Sequence, residues 1–107
     1  MNIKPAELSK SAKEVSAILK LLSNHYRLMI LCCLADSELT VGDLNKQIDL
    51  SQSALSQHLT KLRENGLLAT RRESQSIYYR IDNTEIKGLL FYLQQQFCDN
   101  LSGKSLK

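Results

Sequence analysis

The sequence predicts a mainly α-helical fold with one β-hairpin, in the order α-α-α-α-β-β-α. Three observations predict it. Apolar residues recur at three- and four-residue steps near both ends of the chain. Residues 41–65 read as a short helix, a tight turn and a second helix opened by a capping serine. After them, Ile77, Tyr79 and Ile81 alternate with Tyr78 and Arg80, the two-residue period of a strand. Two helices joined by a tight turn and followed at once by a hairpin make the layout of a winged helix-turn-helix. In that layout the second helix enters a DNA major groove and the hairpin lies beside it.

Each element has local reasons. Pro5 suits the first turn of a helix over residues 5–22, where its missing N–H costs nothing. Its apolar stripe is Leu8, Ala12, Val15, Ile18 or Leu19, and Leu22, with Lys10, Lys13, Glu14 and Lys20 on the wet side. Nothing local covers that stripe, so it is expected to pack on later elements or on another subunit. Ser23 is the expected cap of a second helix, His25 to Ala35. Arg27, Ile30, Leu31 and Leu34 share one face of it, and Leu28, Cys32 and Ala35 another, which implies two packing partners.

Thr40 and Asp43 form a variant capping box before a short helix, Val41–Ile48, with Val41, Leu44 and Ile48 inward. Asp49 and Leu50 make the turn. Ser51 caps the next helix, Gln52 to Asn65, whose inner row is Leu55, Leu59 and Leu62, with Ala54 allowing close approach and Gly66 as the stop. Strands are expected at Leu67 to Arg72 and Ile77 to Asp82, joined by the polar tip Glu73-Ser74-Gln75-Ser76, with Ile77, Tyr79 and Ile81 on the packed face. Asp82 or Asn83 caps a last helix that runs to Phe97 or Asn100 along Ile86, Leu89, Leu90, Leu93 and Phe97. Two amphipathic helices without local partners, at opposite ends, predict a homodimer joined through its termini. Residues 1–100 are expected to form a single domain with terminal dimerisation helices, and residues 101–107 a disordered tail.

A chain of 107 residues, 43% hydrophobic, has a real but small core, so burial in an oligomer helps it. It has no run of 18 apolar residues, which argues against a membrane span, and no apolar signal core near its start. The expected location is cytoplasmic, with reduced thiols. The net charge of +3 is unevenly placed. Residues 51–80 carry Lys61, Arg63, Arg71, Arg72 and Arg80 against only Glu64 and Glu73, while the rest of the chain is balanced. The whole excess therefore lies on the proposed reader, as attraction to a polyanion requires.

Opposite the leucine row of helix 52–65 stand Gln52, Ser53, Ser56, Gln57 and Lys61. Gln can read adenine through two hydrogen bonds, and Ser can donate or accept. Lys61, Arg63, Arg71, Arg72 and Arg80 are expected to meet phosphates, with entry of Arg71 or Arg72 into the minor groove as an alternative. His58 lies beside the apolar row, where a structural role or a DNA contact is expected ahead of metal binding. His25 is isolated. Paired carboxylates, a Gly-rich phosphate loop and a Cys–His pair in a plausible context are all missing, so an enzyme is not expected and no cofactor is implied.

The runs LLSNHYRLMILCCL, ELTVGDL, LSQSALSQHLTKLRENGLL and RRESQSIYYRI resemble the ArsR/SmtB family of bacterial repressors over about residues 12–98. That resemblance implies a homodimeric winged helix that binds inverted-repeat double-stranded DNA and is released by an inducer. Many members sense metals. Their thiol-rich site has cysteines where this chain has Thr40 and Gly42, and their other site needs His on the last helix, where residues 83–100 have none. Both departures point away from metal.

The closer likeness is to the BigR/SqrR/HlyU-like subgroup, which responds to persulfides, polysulfides and in some members oxidants. Its cysteine in an I-L-C context matches Ile30-Leu31-Cys32, and its aromatic-Cys pair near the chain's end matches Phe97-Cys98. The resemblance therefore implies a redox-sensing dithiol of Cys32 and Cys98, with a persulfide or oxidant as inducer. Cys32 shares the helix face assigned to the terminal helices, and Cys98 stands on one of them, so the two can approach. A direct disulfide needs Cα atoms within about 7 Å, a limit that inserted sulfur atoms relax. Adjacent Cys32 and Cys33 diverge by about 100° on a helix and do not bond easily. Cys33 is read first as a small buried apolar residue, and it stays open as a competing thiol. Two other readings are kept: a metal-responsive repressor, and a winged helix used to bind protein.

Overall fold

The structure is a computed structural model that describes residues 4–98. The expected helix end at Asn100 and the tail 101–107 lie outside the described residues. Five α-helices and one antiparallel hairpin follow in the predicted order. They are α1 (Pro5–Leu22), α2 (His25–Cys33), α3 (Val41–Gln47), α4 (Gln52–Glu64), β1 (Leu68–Glu73), β2 (Ser76–Ile81) and α5 (Thr84–Leu93). A π-helical turn, Gln94–Cys98, continues α5. The sequence pattern did not foresee that turn, because a shift to i→i+5 bonding leaves the same residues in place.

The ends of the helices are set by particular side chains. Asn24, not Ser23, caps α2: its Oδ1 accepts from the Tyr26 and Arg27 amides at 3.0 and 3.1 Å. Ser23 is committed to the end of α1, where its N–H donates to the Lys20 carbonyl at 3.3 Å. α2 stops at Cys33, short of Ala35, because the Leu34 amide already turns back to the carbonyls of Ile30 and Leu31. The capping box of α3 is complete and reciprocal. Thr40 Oγ1 accepts from the Asp43 amide and the Asp43 carboxylate accepts from the Thr40 amide, both at 3.1 Å. The Thr40 amide first, and then the Thr40 hydroxyl, hold the Asp43 carboxyl below the usual carboxylate range.

The turn between α3 and α4 is stitched by Asn45, whose Nδ2 donates to the Leu50 carbonyl at 2.8 Å and the Ile48 carbonyl at 3.3 Å. Ser51 then caps α4 through the Ala54 amide at 3.1 Å. α4 ends at Glu64, and Gly66 takes a positive φ of 81°. The Gly66 amide bonds Arg63 and the Leu67 amide bonds Leu62, each at 3.0 Å. This paired closure with apolar Leu62 and Leu67 at its two ends is a Schellman motif. It brings the chain directly into β1.

The core gathers the inner rows that periodicity picked out. Leu44, Ile48, Leu55, Leu59 and Leu62 are buried together with Ile30, Leu31 and Leu34 of the α2 segment, and Leu67, Leu68, Ile81, Ile86 and Leu90 close it. Burying each such side chain is worth about 1.5–3 kcal/mol. The hairpin pairs Leu68 with Ile81 out to Glu73 with Ser76, so its turn is only Ser74-Gln75, with Ser74 at φ 58°. A connection absent from the sequence reading holds the hairpin to the body. Leu39, between α2 and α3, bridges Tyr79 through two backbone hydrogen bonds of 3.1 and 2.8 Å.

One expected packed row is corrected. Ile77 is 40% exposed, because the outer half of the hairpin runs past the body it packs on. On α1 only Leu21 and Leu22 are buried and Ile18 is half-buried, whereas Leu8, Val15 and Leu19 are each about half exposed. At the other end Phe91, Tyr92 and Phe97 are also exposed. α5 is capped by Asn83, whose Oδ1 accepts from the Ile86 amide at 2.9 Å.

Two measurements check this account. Leu59→Ala is expected to lower unfolding stability by about 2–5 kcal/mol in urea titration, since it empties a fully buried position. Thr40→Ala is expected to lose about 1 kcal/mol. The Asp43 pKa is lowered on folding, so its contribution is present above the ordinary value and fades as pH falls through the folded one. Asp43→Asn should therefore lose less stability than wild type between pH 5 and pH 3, both values being on the order set by model carboxylates.

Candidate nucleic-acid interface

α4 is placed by packing on its neighbours. Leu55, Leu59 and Leu62 face α2 and α3, so the opposite side must face out. On that side Gln52, Ser53, Ser56, Gln57 and Lys61 are all exposed, and Ser56, Gln57, Thr60 and Lys61 line a shallow concavity with Glu64 and Asn65. The predicted polar row is thus one continuous surface. His58 stands apart from it. Its ring is half-buried on the seam with α2, with its centroid 6.2 Å from that of Tyr26. Desolvation, then Arg27 and Lys61, push its pKa down and favour the neutral imidazole. Tyr26 meets His25 edge-on at 5.0 Å.

The hairpin has two chemically different faces, because strand residues alternate and cross-strand partners share a side. One face carries Ala69, Arg71 and Glu73 opposite Arg80, Tyr78 and Ser76. The other carries Leu68, Thr70 and Arg72 opposite Ile81, Tyr79 and Ile77. Arg71 and Arg72, expected to act together, therefore diverge. Arg72 shares a groove of about 340 Å³ with Arg63 of α4, Thr70, Ile77 and Tyr79, and Arg71 also touches its wall. Arg71 is held by carboxylates. Its Nε donates to Glu38 Oε1 at 2.7 Å and its Nη1 to Glu73 Oε1 at 2.9 Å, while its guanidinium lies 4.6 Å over the Tyr78 ring. Those acceptors raise its already high pKa. Arg80 Nη1 lies 3.9 Å from Glu38 Oε2. Glu38 was not singled out from the sequence, because its partners lie far along the chain. The one available signal is its place next to Leu39, and that needs the bridge to Tyr79 to be known.

The cysteines sit elsewhere. Cys32 and Cys33 are both half-buried at the edge of the core. Cys33, read as a buried apolar residue, lies with its Sγ 3.5 Å from Gln47 Oε1, and burial pushes its thiol pKa up. At Cys32 the backbone carbonyl accepts from Gln94 Nε2 at 3.3 Å. Gln94 opens the π-helical turn that Cys98 closes, and the Cys98 side chain lies outside the described residues. Among the described residues no three His, Cys, Asp or Glu side chains are grouped closely enough to hold a metal, and no helix is long and apolar enough to cross a membrane.

This arrangement is shared with known proteins. Residues 24–70 match the family model described as bacterial regulatory protein, arsR family. The chain is 45% identical over 92 residues to the transcriptional activator HlyU of Vibrio cholerae, covering 86% of this chain and 85% of the relative. A structure described as reduced HlyU from that organism superimposes with a TM-score of 0.83, covering 86% of this chain and 97% of that one. The biofilm growth-associated repressor of Xylella fastidiosa is 41% identical over 92 residues, 86% of this chain and 81% of its own. The structure of the repressor BigR from that organism gives a TM-score of 0.79 at 40% identity, covering 90% and 98% of the two chains. A Mycobacterium bovis protein described as a homodimeric winged helix-turn-helix DNA-binding domain matches with a TM-score of 0.74 at 27% identity, covering 96% and 95%. With its winged helix, its exposed polar row and relatives this similar along most of their length, the chain belongs to the arsR family of DNA-binding transcriptional regulators.

Proposed function

We propose that this regulator is a homodimer that binds an inverted-repeat operator as a repressor, and that linking Cys32 to Cys98 releases the DNA. In this reading α4 lies in the major groove. Gln52, Ser53, Ser56 and Gln57 face base edges, Lys61 and Arg63 flank them, and the wing adds Arg71 and Arg72 to the positive surface. His58 supports α4 from the seam with α2. The exposed apolar residues of α1 and of the α5 segment are the surface that a second copy covers.

The observation that carries the switch is the hydrogen bond from Gln94 to the Cys32 carbonyl. It fastens the start of the segment ending in Cys98 onto the helix bearing Cys32. The name of a solved relative, reduced HlyU, also fits a redox-dependent regulator. The chemistry needs no group from the protein beyond two thiols. One cysteine thiolate attacks the outer sulfur of a low-molecular-weight persulfide and takes it up, and the donor leaves as a thiolate. The second thiolate then attacks the inner sulfur of the new protein persulfide, forming a disulfide and expelling hydrosulfide. The persulfide is the oxidant and the two protein thiols are oxidised. Closing this bond pulls α5 against α2 and shifts the dimer seam, which sets the spacing of the two α4 helices on DNA.

Gel-shift titration with and without an organic persulfide tests the switch. Wild type is expected to lose operator affinity at least tenfold on treatment, and Cys32→Ser and Cys98→Ser to keep it. Single mutants that release DNA as wild type does would refute the thiol pair. Gln57→Ala is expected to relax base preference by about 1–3 kcal/mol in competition between operator variants.

A further inference from the structure

We infer that Glu38 and Arg71 form a strut that sets the angle of the wing, and that phosphate contact at the wing belongs to Arg72 together with Arg63 across the groove. This rests on the DNA-binding reading and divides its labour. Arg71 is the natural first choice for a phosphate contact, since it is exposed and cationic. Its surroundings argue otherwise. Two of its donors are already spent on carboxylates at 2.7 and 2.9 Å, and its flat face lies on Tyr78. A phosphate approaching this face meets Glu38 and Glu73, and drawing Arg71 away breaks two charge-assisted hydrogen bonds and a cation–π contact. The two arginines of this face, Arg71 and Arg80, stand against two carboxylates, so the face offers a polyanion little net charge.

The opposite face has no such compensation. Arg63, Arg71 and Arg72 all line one groove, and of the three only Arg71 has carboxylate partners among the described residues, which leaves Arg63 and Arg72 to meet an anion there. Thr70 and Tyr79 complete its wall and supply hydroxyl groups of the kind that bond phosphate oxygens. The groove lies between the reading helix and the wing, where a backbone strand beside the major groove passes.

Glu38 is a positioning residue for this arrangement. A two-stranded hairpin is marginal by itself, and this one is tied to the body by the Leu39–Tyr79 bridge. Strand alternation places Glu38, one residue before Leu39, on the Arg71 side of the sheet. One carboxylate then reaches both strands, Arg71 of β1 through Oε1 and Arg80 of β2 through Oε2. An isolated exposed ion pair contributes little, whereas a planar guanidinium fixed at three points has one geometry. The strut thereby fixes where Arg72, on the other side of the same strand, stands relative to Arg63.

The test is the salt dependence of binding by the full-length protein to a fluorescent mixed-sequence DNA duplex. Arg72→Ala and Arg63→Ala are each expected to flatten the log–log salt slope by about one. Arg71→Ala is expected to weaken binding severalfold with the slope unchanged, and Arg71→Lys to behave like Arg71→Ala, because an ammonium does not reproduce the two-carboxylate fork. Glu38→Gln is expected to weaken binding in the same way. The inference is overturned if Arg71→Ala flattens the slope by about one, if Arg71→Lys restores wild-type affinity, or if Glu38→Gln tightens binding tenfold by freeing Arg71 for phosphate. A wild-type protein whose DNA affinity does not fall with salt overturns the DNA-binding reading itself, and this inference with it.

Discussion

The leucine row of α4 is the constraint on which the other features hang. Leu55, Leu59 and Leu62 are fully buried between α2 and α3, and a helix locked along one side has its other side assigned without further choice. That is why the short polar residues from Gln52 to Lys61 stand together on an open surface. No property of those residues puts them there. They are outside because the leucines are inside. The same row fixes the helix end: Leu62 and Leu67 enclose the Schellman closure at Gly66, which turns the chain straight into β1. The reading helix and the wing are therefore one mechanical unit, joined through a glycine whose positive φ a side chain would oppose.

Around that unit, the fold relies on short polar side chains wherever the backbone turns. Asn24, Thr40 with Asp43, Ser51 and Asn83 each satisfy amides at a helix start, and Asn45 holds the turn between α3 and α4. These bonds explain how a small core supports so many direction changes. Among the described residues, no buried side-chain nitrogen or oxygen lacks a partner. The wing draws on a longer-range device, with Leu39 pairing to its edge and Glu38 gripping arginines on both of its strands.

The terminal segments follow a different logic. α1 buries only its last turn, and the segment after Leu90 turns three aromatic side chains outward. A protein that leaves this much apolar surface open at both ends suits assembly. Cys32 shares α2 with the residues that pack against α4, and Gln94 couples its carbonyl to the segment ending in Cys98. A covalent change between those segments bears on the helix that carries the reader, which gives the proposed switch a mechanical route.

The sequence by itself determined the element order, the leucine row, the caps at Thr40 and Ser51, and the polar row of α4, and it narrowed the last cap to Asp82 or Asn83. All of these are encoded within a few residues, by helical or strand periodicity and by side chains that bond their own neighbouring amides. What it misjudged locally was small: the cap moved from Ser23 to Asn24 because Ser23 already ended α1. Tertiary structure alone decided the rest. It separated Arg71 from Arg72, drew Glu38 onto the wing, bridged Leu39 to Tyr79, set the His58 ring near Tyr26, exposed Ile77 and bent the end of α5 into a π-helical turn. Each of these depends on which distant segment arrives alongside, and a one-dimensional pattern does not record that. Two arginines adjacent in sequence look equivalent until a sheet is built and alternation sends them to opposite faces.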